Sequence, residues 1–233
     1  MKQLRRFFQR AQLWGMRRVG HAFRVQVQRP LQAHGSVYGG WQIDPTAINA
    51  NSVVYSFGVG EDISFDLSLI ETFGCHVYAF DPTPKSIAWL SDRDLPSQFH
   101  FFAYGVADFD GEARFSPPVN PEDVSYTLLE RPETAQSAIN VPVHRLQTIM
   151  GNLGHNRIDI LKMDIEGAEY AVLQQLRQSP VRIGQLLIEF HHRFESVGWH
   201  QTAAAIKLLE NAGFHRFYVS PSGEEFSFTV DNA

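Results

Sequence analysis

The sequence predicts an α/β fold with a doubly wound, mostly parallel seven-stranded sheet of the Rossmann-like kind, preceded by a basic N-terminal helical segment. Three observations predict this fold. From Val53 onward, short β-rich runs alternate with stretches of helical periodicity, as in parallel strands joined by crossover helices. A glycine turn follows the first strand, and the second strand ends in the carboxylate of Asp81. Both features are typical of the ligand-binding edge of such a sheet.

The periodicity predicts seven strands and four helices. The strands fall near residues 53–57, 76–80, 99–104, 158–163, 184–190, 214–219 and 225–230. The helices fall near residues 62–73, 84–92, 166–178 and 200–212. The short connection between the last two strands favours an antiparallel hairpin, and the proline-rich residues 116–135 predict a long loop beside the acceptor.

Composition limits the chain to one large globular unit with an appendage. Of the 233 residues, 44% are hydrophobic and 19% are charged, which suits a large buried sheet. The net charge is −5, but all eight charged residues before Asp44 are basic. From Asp44 onward, 12 basic residues face 25 acidic ones, a charge of −13, which argues against a nucleic-acid partner.

The N-terminal part is expected to differ from the rest. We divide the chain into a basic amphipathic segment with its connecting loop, residues 1–43, and a main domain, residues 44–233. Apolar residues alternate with arginines at helical spacing in residues 1–29. This pattern fits peripheral contact with an anionic membrane, and it fits equally a helix that packs on the domain or in a dimer.

The cysteine count and the hydropathy bear on the compartment. Cys75 is the single cysteine, so no intrachain disulfide forms, and a reducing compartment is expected. Arginines interrupt the apolar residues near the N-terminus, and no run of 18 apolar residues occurs. We therefore expect a cytoplasmic protein that can also contact a membrane peripherally.

The candidate cofactor site begins at the first glycine turn. Ser56 and Phe57 end a strand, and Gly58 and Gly60 then form a tight turn before a helix. Glycines allow a ligand to approach the backbone closely, and the free amides at a helix start donate hydrogen bonds. Asp81 follows Gly60 by 21 residues at the end of the next strand, where it is expected to accept the ribose hydroxyls of a nucleoside.

Two departures from a dinucleotide fingerprint narrow the ligand class. The third glycine of that fingerprint is replaced by Ile63, and Glu61 and Asp62 would repel a pyrophosphate at the helix start. A ligand without phosphates, such as the cationic S-adenosyl-L-methionine, is favoured. After the third strand, Ala107 is expected beside the adenine ring and Asp108 at its amino group, although Asp108 equally fits the start of a turn.

Four motifs resemble those of a known family. Residues 157–169 read RIDILKMDIEGAE, residues 80–84 FDPTP, residues 110–115 DGEARF and residues 188–191 IEFH. Over roughly residues 50–192 the chain is similar to the FkbM family of methyltransferases. The resemblance implies a class I methyltransferase fold, S-adenosyl-L-methionine as cofactor, and O-methylation of a sugar, a glycolipid or another natural product. Ser56 stands where many members carry an acid, and Glu61 or Asp62 is expected to compensate.

The candidate catalytic residues are Asp164, Glu189 and His191, which fall at the ends of the fourth and fifth predicted strands. Alternation along a strand puts Glu189 and His191 on the same face, so they can converge. An alkyl hydroxyl is a weak acid, and methyl transfer to it benefits from a general base such as His191 or from a divalent cation held by the three side chains. The sequence leaves the metal unknown. Glu169 is expected to serve the helix start, and His192 to face solvent.

Two other functions remain open on the sequence alone. A nicotinamide-dependent oxidoreductase shares the strand, glycine turn and carboxylate, and the missing third glycine counts against it. The other alternative is a noncatalytic Rossmann-like scaffold in which the basic arm, residues 1–29, binds a partner. The expected partner of the enzyme is a small-molecule or glycan acceptor.

Overall fold

The computed structural model describes residues 23–118, 126–128, 132–178, 180–194 and 196–230. Its strands are β1 Gln32–His34, β2 Trp41–Ile43, β3 Val53–Phe57, β4 His76–Phe80, β5 Phe99–Phe102, β6 Gly105–Val106, β7 Gly111–Phe115, β8 Ile139–His144, β9 Ile158–Met163, β10 Ile183–Glu189, β11 Phe214–Val219 and β12 Glu225–Val230. Its α-helices are α1 Ser64–Phe73, α2 Pro84–Ser91, α3 Leu146–Leu153, α4 Glu169–Gln178 and α5 Gly198–Asn211.

The main sheet has seven strands in the order β11-β12-β10-β9-β3-β4-β5. The pairs from β10 to β5 are parallel, whereas β12 is antiparallel to both of its neighbours. This arrangement confirms the predicted doubly wound, mostly parallel sheet and its closing hairpin. The chain first builds outward from β3 to β5 and then from β9 to β10, so the topological switch point lies between β3 and β9, where such sheets bind ligands.

Both faces of the sheet are covered by apolar side chains. Tyr55, Phe57 and Phe80 belong to the buried cluster on one face, and Val54 and Leu69 to the cluster on the other. Adjacent strand residues therefore point into different cores, and β3 reads as a nearly continuous apolar run. Burial on both faces fixes the register of the strands, and with it the position of their carboxyl ends.

Two predicted boundaries that matter for the site change in the structure. The third strand ends at Phe102 instead of 104, because the chain turns away there into a separate sheet of order β6-β8-β7. The helix predicted from 166 begins at Glu169, because Glu166 and Gly167 have φ of 53° and 100°, which lie outside helical geometry. Helix α3 was not predicted. The loop predicted over 116–135 is only partly described, and Thr127 forms an isolated bridge there with Ser116.

The described residues before 44 pack against the main domain. Phe23 is buried and stacks on Trp199 with 4.6 Å between the ring centroids. The amides of Gln26 and Val27 both donate to the carbonyl of Arg216. Residues 1–22 lie outside the described residues, so the membrane contact expected for the arm and the division at residue 43 stay predictions. Among the described residues, no helix is both long and apolar enough to cross a membrane.

Candidate active site

A cavity of about 860 Å³ opens at the carboxyl ends of β3, β4, β9 and β10. Of the predicted site residues, it is lined by Phe57, Gly58, Gly60, Asp81, Asp164 and Glu189. Ser56 is fully buried and lies outside the lining. Ala107, Asp108 and His191 also lie outside it, and Gly105 and Val106, which precede Ala107, line the cavity instead. The structure thus brings most of the predicted site together at the switch point.

The glycine turn is held in a conformation that other residues adopt with strain. Gly58 and Gly60 have φ of 74° and 55°, in the left-handed region. A Cβ on Gly58 would lie 1.7 Å from the carbonyl oxygen of Asp164, so the close approach of the β3 and β9 ends requires glycine there. The Gly58 amide donates to the carbonyl of Phe80, which ties the turn to the end of β4.

Asp81 is oriented by three hydrogen bonds. Its Oδ1 accepts from the Thr83 amide at 2.9 Å and from the Thr83 hydroxyl at 2.6 Å. Its Oδ2 accepts from the Gly60 amide at 2.9 Å, while the side chain lines the cavity. A carboxylate offers about four acceptor positions, so one remains on the Oδ2 side for a ligand hydroxyl. Asp108, by contrast, is exposed, and its carbonyl accepts from Arg145.

Beneath the glycine turn lie two buried charges that sequence reasoning missed. Lys162 on β9 donates from Nζ to the carbonyl of Gly58 at 2.9 Å and to that of Phe57 at 3.4 Å. Asp66 on α1 is 2% exposed, and its burial raises its pKa to about 6 although Lys162 and Ser56 favour the charged form. The carboxylate beside Ser56 is therefore Asp66. A lysine inside an apolar strand was the signal that sequence reasoning could have used.

The two carboxylates expected to compensate for Ser56 have other partners. Asp62 accepts from the hydroxyl of Ser36 at 2.6 Å and from the amide of Ser64 at 2.9 Å. Burial raises the pKa of Asp62, but these hydrogen bonds outweigh it and lower the pKa overall. Glu61 lies 3.9 Å from the Lys85 ammonium. Both carboxylates line the cavity.

Four carboxylates surround the fully buried ring of His191. Its Nδ1 lies 2.8 Å from Glu169 Oε1. Its Nε2 lies 3.5 Å from Glu166 Oε2, 3.6 Å from Asp164 Oδ1 and 3.7 Å from Glu189 Oε1. The expected convergence of Asp164, Glu189 and His191 is therefore present in the structure, and Glu166 and Glu169 join it.

The charge state of His191 follows from its burial and from the four carboxylates around it. Burial lowers the pKa of the ring, but Glu169 and the further carboxylates of Glu166 and Asp164 raise it to about 9. Burial in turn raises the pKa of Asp164 and of Glu189. At neutral pH the ring is protonated when only protein groups surround it, and an imidazolium accepts no proton. The general-base role predicted for His191 requires the neutral ring.

The turn before α4 shapes this cluster. Glu169 Oε1 accepts from the amides of Ile165 and Gly167 at 3.1 Å and 3.2 Å, so it serves the helix start as expected. Among the described residues, Glu166 is the non-glycine residue with positive φ, and Thr127 donates a hydrogen bond to its carbonyl. Such a conformation costs about 1–3 kcal/mol and occurs most often at functional sites. It turns the Glu166 carboxylate toward His191.

His192 does not face solvent as predicted. Its ring is partly buried and lies edge-on to Phe23 at 6.5 Å and to Trp199 at 6.0 Å. Burial, together with the charges of Arg193 and His191, lowers its pKa to about 4. Phe23 lies far from His192 in the chain, so no local pattern predicts this burial.

The strand order and the position of the cavity define a class I methyltransferase fold. Among solved structures, the fibrillarin pre-rRNA processing protein of Methanococcus jannaschii is similar, with a TM-score of 0.50 and 11% identity over 88% of this chain and 72% of that one. At this identity the likeness shows the fold. The family model described as Methyltransferase FkbM domain matches residues 51–216, and the chain belongs to that family.

Two curated relatives carry the same name in different mammals. The human probable methyltransferase-like protein 24 is 30% identical over 181 residues, which cover 73% of this chain and 43% of that protein. The rat protein of that name is 28% identical over 176 residues, covering 71% of this chain and 42% of its own length. The chain thus spans less than half the length of these relatives.

Proposed function

We propose that this domain transfers a methyl group from S-adenosyl-L-methionine to a hydroxyl of a small-molecule or glycan acceptor. The observation that carries the proposal is that one cavity contains both the glycine turn with Asp81 and the carboxylates of Asp164, Glu166 and Glu189. The first set suits a nucleoside, and the second suits the activation of a hydroxyl beside it. Membership of a methyltransferase family supports the reaction type.

The donor half of the site uses the residues around the glycine turn. In the proposed complex the free acceptor position of Asp81 takes a ribose hydroxyl, and Gly58 and Gly60 allow the nucleoside to approach the backbone. Ala107 and Asp108 remain the predicted adenine contacts. The negative charge of the cavity suits the positive sulfonium of the donor and disfavours the pyrophosphate of a nicotinamide cofactor.

Methyl transfer is a displacement in which the acceptor oxygen bonds to the methyl carbon while the carbon–sulfur bond breaks. The products are the methyl ether, S-adenosylhomocysteine and the proton of the hydroxyl. The chain must therefore hold the acceptor oxygen in line with the methyl group and receive that proton. Asp164 and Glu189 line the cavity at the strand ends, which supports assigning both tasks to them.

The geometry around His191 also fits a divalent cation. Among the described residues Nε2 has no hydrogen-bond partner, and ligand atoms of Asp164, Glu166 and His191 lie within 4.8 Å of one another. Two ligands at about 2.1 Å from one ion stand about 3.0–4.2 Å apart, which matches the separations at Nε2. A carboxylate close to Nδ1, here Glu169 with its Oε1 at 2.8 Å, commonly orients a metal-binding histidine.

We therefore propose Asp164, Glu166 and His191 as ligands of a divalent cation, with Glu189 held beside them by Arg193. The Arg193 guanidinium contacts Glu189 at 2.6 Å and Glu224 at 3.5 Å, which leaves Glu166 as the freer carboxylate. When bound, such an ion polarises an acceptor hydroxyl and lowers its pKa. In that state Nε2 of His191 carries no proton, and Nδ1 keeps its contact with Glu169.

Calorimetry and methyl-transfer assays with candidate glycans test the two parts of this proposal. Protein freed of metal by a chelator should bind Mn²⁺, His191→Ala should lose this binding, and the exposed His200→Ala should keep it. EDTA should abolish methyl transfer, and added Mg²⁺ or Mn²⁺ should restore it.

Two outcomes would change the assignment. Turnover that resists EDTA but falls about 10²–10⁴-fold in His191→Ala would restore the general-base role. Full turnover in both tests would show that the acceptor lies elsewhere.

The binding partners and the cellular location of the enzyme are also part of the proposal. The acidic charge after residue 43 supports a partner other than nucleic acid. The basic residues 1–29 and the single cysteine support a cytoplasmic location, with contact to anionic membranes through that arm. Salt-sensitive binding to vesicles rich in phosphatidylserine, lost on removal of residues 1–22, would support the membrane contact. Binding unchanged by that removal would exclude the arm as its cause.

A further inference from the structure

A buried ammonium group and a buried carboxylate line the cavity directly below the glycine turn. Lys162 is 6% exposed and Asp66 is 2% exposed, yet both contribute to the cavity wall. They come from different elements, β9 and α1, which the parallel sheet brings to the same edge. Burying two charges is costly unless each is paired or bonded, so their joint position at a ligand cavity calls for a cause.

Lys162 retains binding capacity in the structure. Its ammonium has three N–H donors, and two of them are directed at the carbonyls of Gly58 and Phe57. Because the residue lines the cavity, a ligand on that side can approach the third donor. The carboxylates of Asp62 and Asp66 already interact with this charge, and an anionic ligand group would add a direct charged hydrogen bond.

Asp66 also has an unsatisfied atom. Its Oδ1 is buried and has no hydrogen-bond partner among the residues that the structure describes. An orphaned carboxylate oxygen at a cavity wall suits a cationic donor from a ligand. Asp62, four residues earlier in the chain, also lines the cavity, and its negative charge acts on Asp66.

We infer that Lys162 and Asp66 bind the amino-acid end of the methyl donor, with Lys162 receiving its α-carboxylate and Asp66 its α-ammonium. The inference rests on the proposed function, because it takes S-adenosyl-L-methionine as the ligand. That molecule is a nucleoside at one end and a zwitterion at the other. With its ribose at Asp81, one charged pair of matching sign is needed further along the cavity, and Lys162 with Asp66 supplies it.

A purely structural role of Lys162 predicts a different result. If Lys162 only anchors the carbonyls of Gly58 and Phe57, its loss disturbs the glycine turn and weakens the binding of every nucleoside ligand alike. If it binds the carboxylate, its loss weakens only ligands that carry one. The two roles separate with S-adenosylhomocysteine and 5′-methylthioadenosine, because the second compound keeps the nucleoside and lacks the amino-acid end.

The test is calorimetric titration of both compounds into wild type, Lys162→Met, Asp66→Asn and the exposed control Lys207→Met. We expect Lys162→Met and Asp66→Asn each to weaken S-adenosylhomocysteine about tenfold to a hundredfold, since each removes one charged hydrogen bond. Binding of 5′-methylthioadenosine should stay within about threefold of wild type in both variants, and Lys207→Met should match wild type for both ligands.

Equal weakening of both ligands in Lys162→Met, with unchanged binding in Asp66→Asn, would overturn the inference in favour of the anchoring role. Asp66→Asn keeps the shape of the side chain and tests the pair even if Lys162→Met does not fold. Wild type that binds both compounds equally would refute the charged subsite while leaving the proposed function intact. Wild type that binds neither would refute the proposed function and the inference with it.

Discussion

Replacing Asp81 with asparagine tests whether this carboxylate accepts a hydrogen bond from the ribose of the methyl donor. In the structure this carboxylate already accepts from the Thr83 amide, the Thr83 hydroxyl and the Gly60 amide. Asparagine keeps the shape but has one acceptor oxygen, so it cannot keep all three bonds and still accept a ribose hydroxyl. The loss of one charged hydrogen bond to the ligand is about 1.5–3 kcal/mol.

This magnitude corresponds to weaker S-adenosylhomocysteine binding by about tenfold to a hundredfold, measured by calorimetry at fixed pH and salt. The exposed Asp92→Asn, eleven residues later, is the matched control and should bind like wild type. Asp108→Asn in the same series tests the adenine contact predicted from the sequence. Unchanged affinity in a folded Asp81→Asn protein would refute the assignment of this carboxylate to the ribose.

Three further predictions concern stability and the carboxylate cluster. Phe23→Ala should lower the free energy of unfolding by about 3–5 kcal/mol in urea, because the ring is 6% exposed, whereas Val25→Ala, 42% exposed, should change it by less than about 0.5 kcal/mol. Equal effects would place Phe23 outside the core. Asp66 has a folded-state pKa of about 6, above its unfolded value, so its contribution to stability is fully present below about pH 4 and is lost as pH rises through 6. Relative to wild type, the free energy of unfolding of Asp66→Asn should therefore rise by about 3 kcal/mol between pH 4 and pH 7. A difference between the two proteins that stays constant with pH would contradict the burial of this charge. Glu169→Gln should weaken Mn²⁺ binding about tenfold to a hundredfold by releasing Nδ1 of His191, and unchanged binding would argue against that orienting contact.

The sheet could be predicted because its signals are local. Strands β3, β4 and β9 are apolar runs bounded by glycine, proline or charged residues, and burial on both sides of the sheet makes such runs continuous. The small sheet of β6, β7 and β8 was missed because its strands pair across a long segment. Gly105 pairs with Val143, and no local sequence pattern indicates a pairing between residues so far apart in the chain.

The site was predictable at strand ends and unpredictable within strands and helices. Asp81, Asp164 and Glu189 stand at carboxyl ends, where open α/β sheets gather functional groups. Lys162 and Asp66 lie inside regular elements, where a lone charge usually indicates a solvent-exposed position. Their roles depend on how α1 packs on the sheet, which the sequence does not specify.

The cluster around His191 also shows where prediction from the sequence ends. Alternation along β10 predicted that Glu189 and His191 share a face, and they do. The contribution of Glu166 depends on its positive φ, and that conformation is common for glycine but rare for glutamate. A sequence pattern of EGAE therefore suggested a helix start at 166, while the folded chain uses the same residues as a turn that directs a carboxylate to the histidine.

The most direct measurement is calorimetric titration of the wild-type protein with S-adenosylhomocysteine and, under the same conditions, with NADH. The account predicts saturable binding of S-adenosylhomocysteine with one site per chain. It predicts no measurable binding of NADH, because Glu61 and Asp62 at the start of α1 repel its pyrophosphate. Binding of NADH without binding of S-adenosylhomocysteine would contradict the methyltransferase assignment and favour the oxidoreductase.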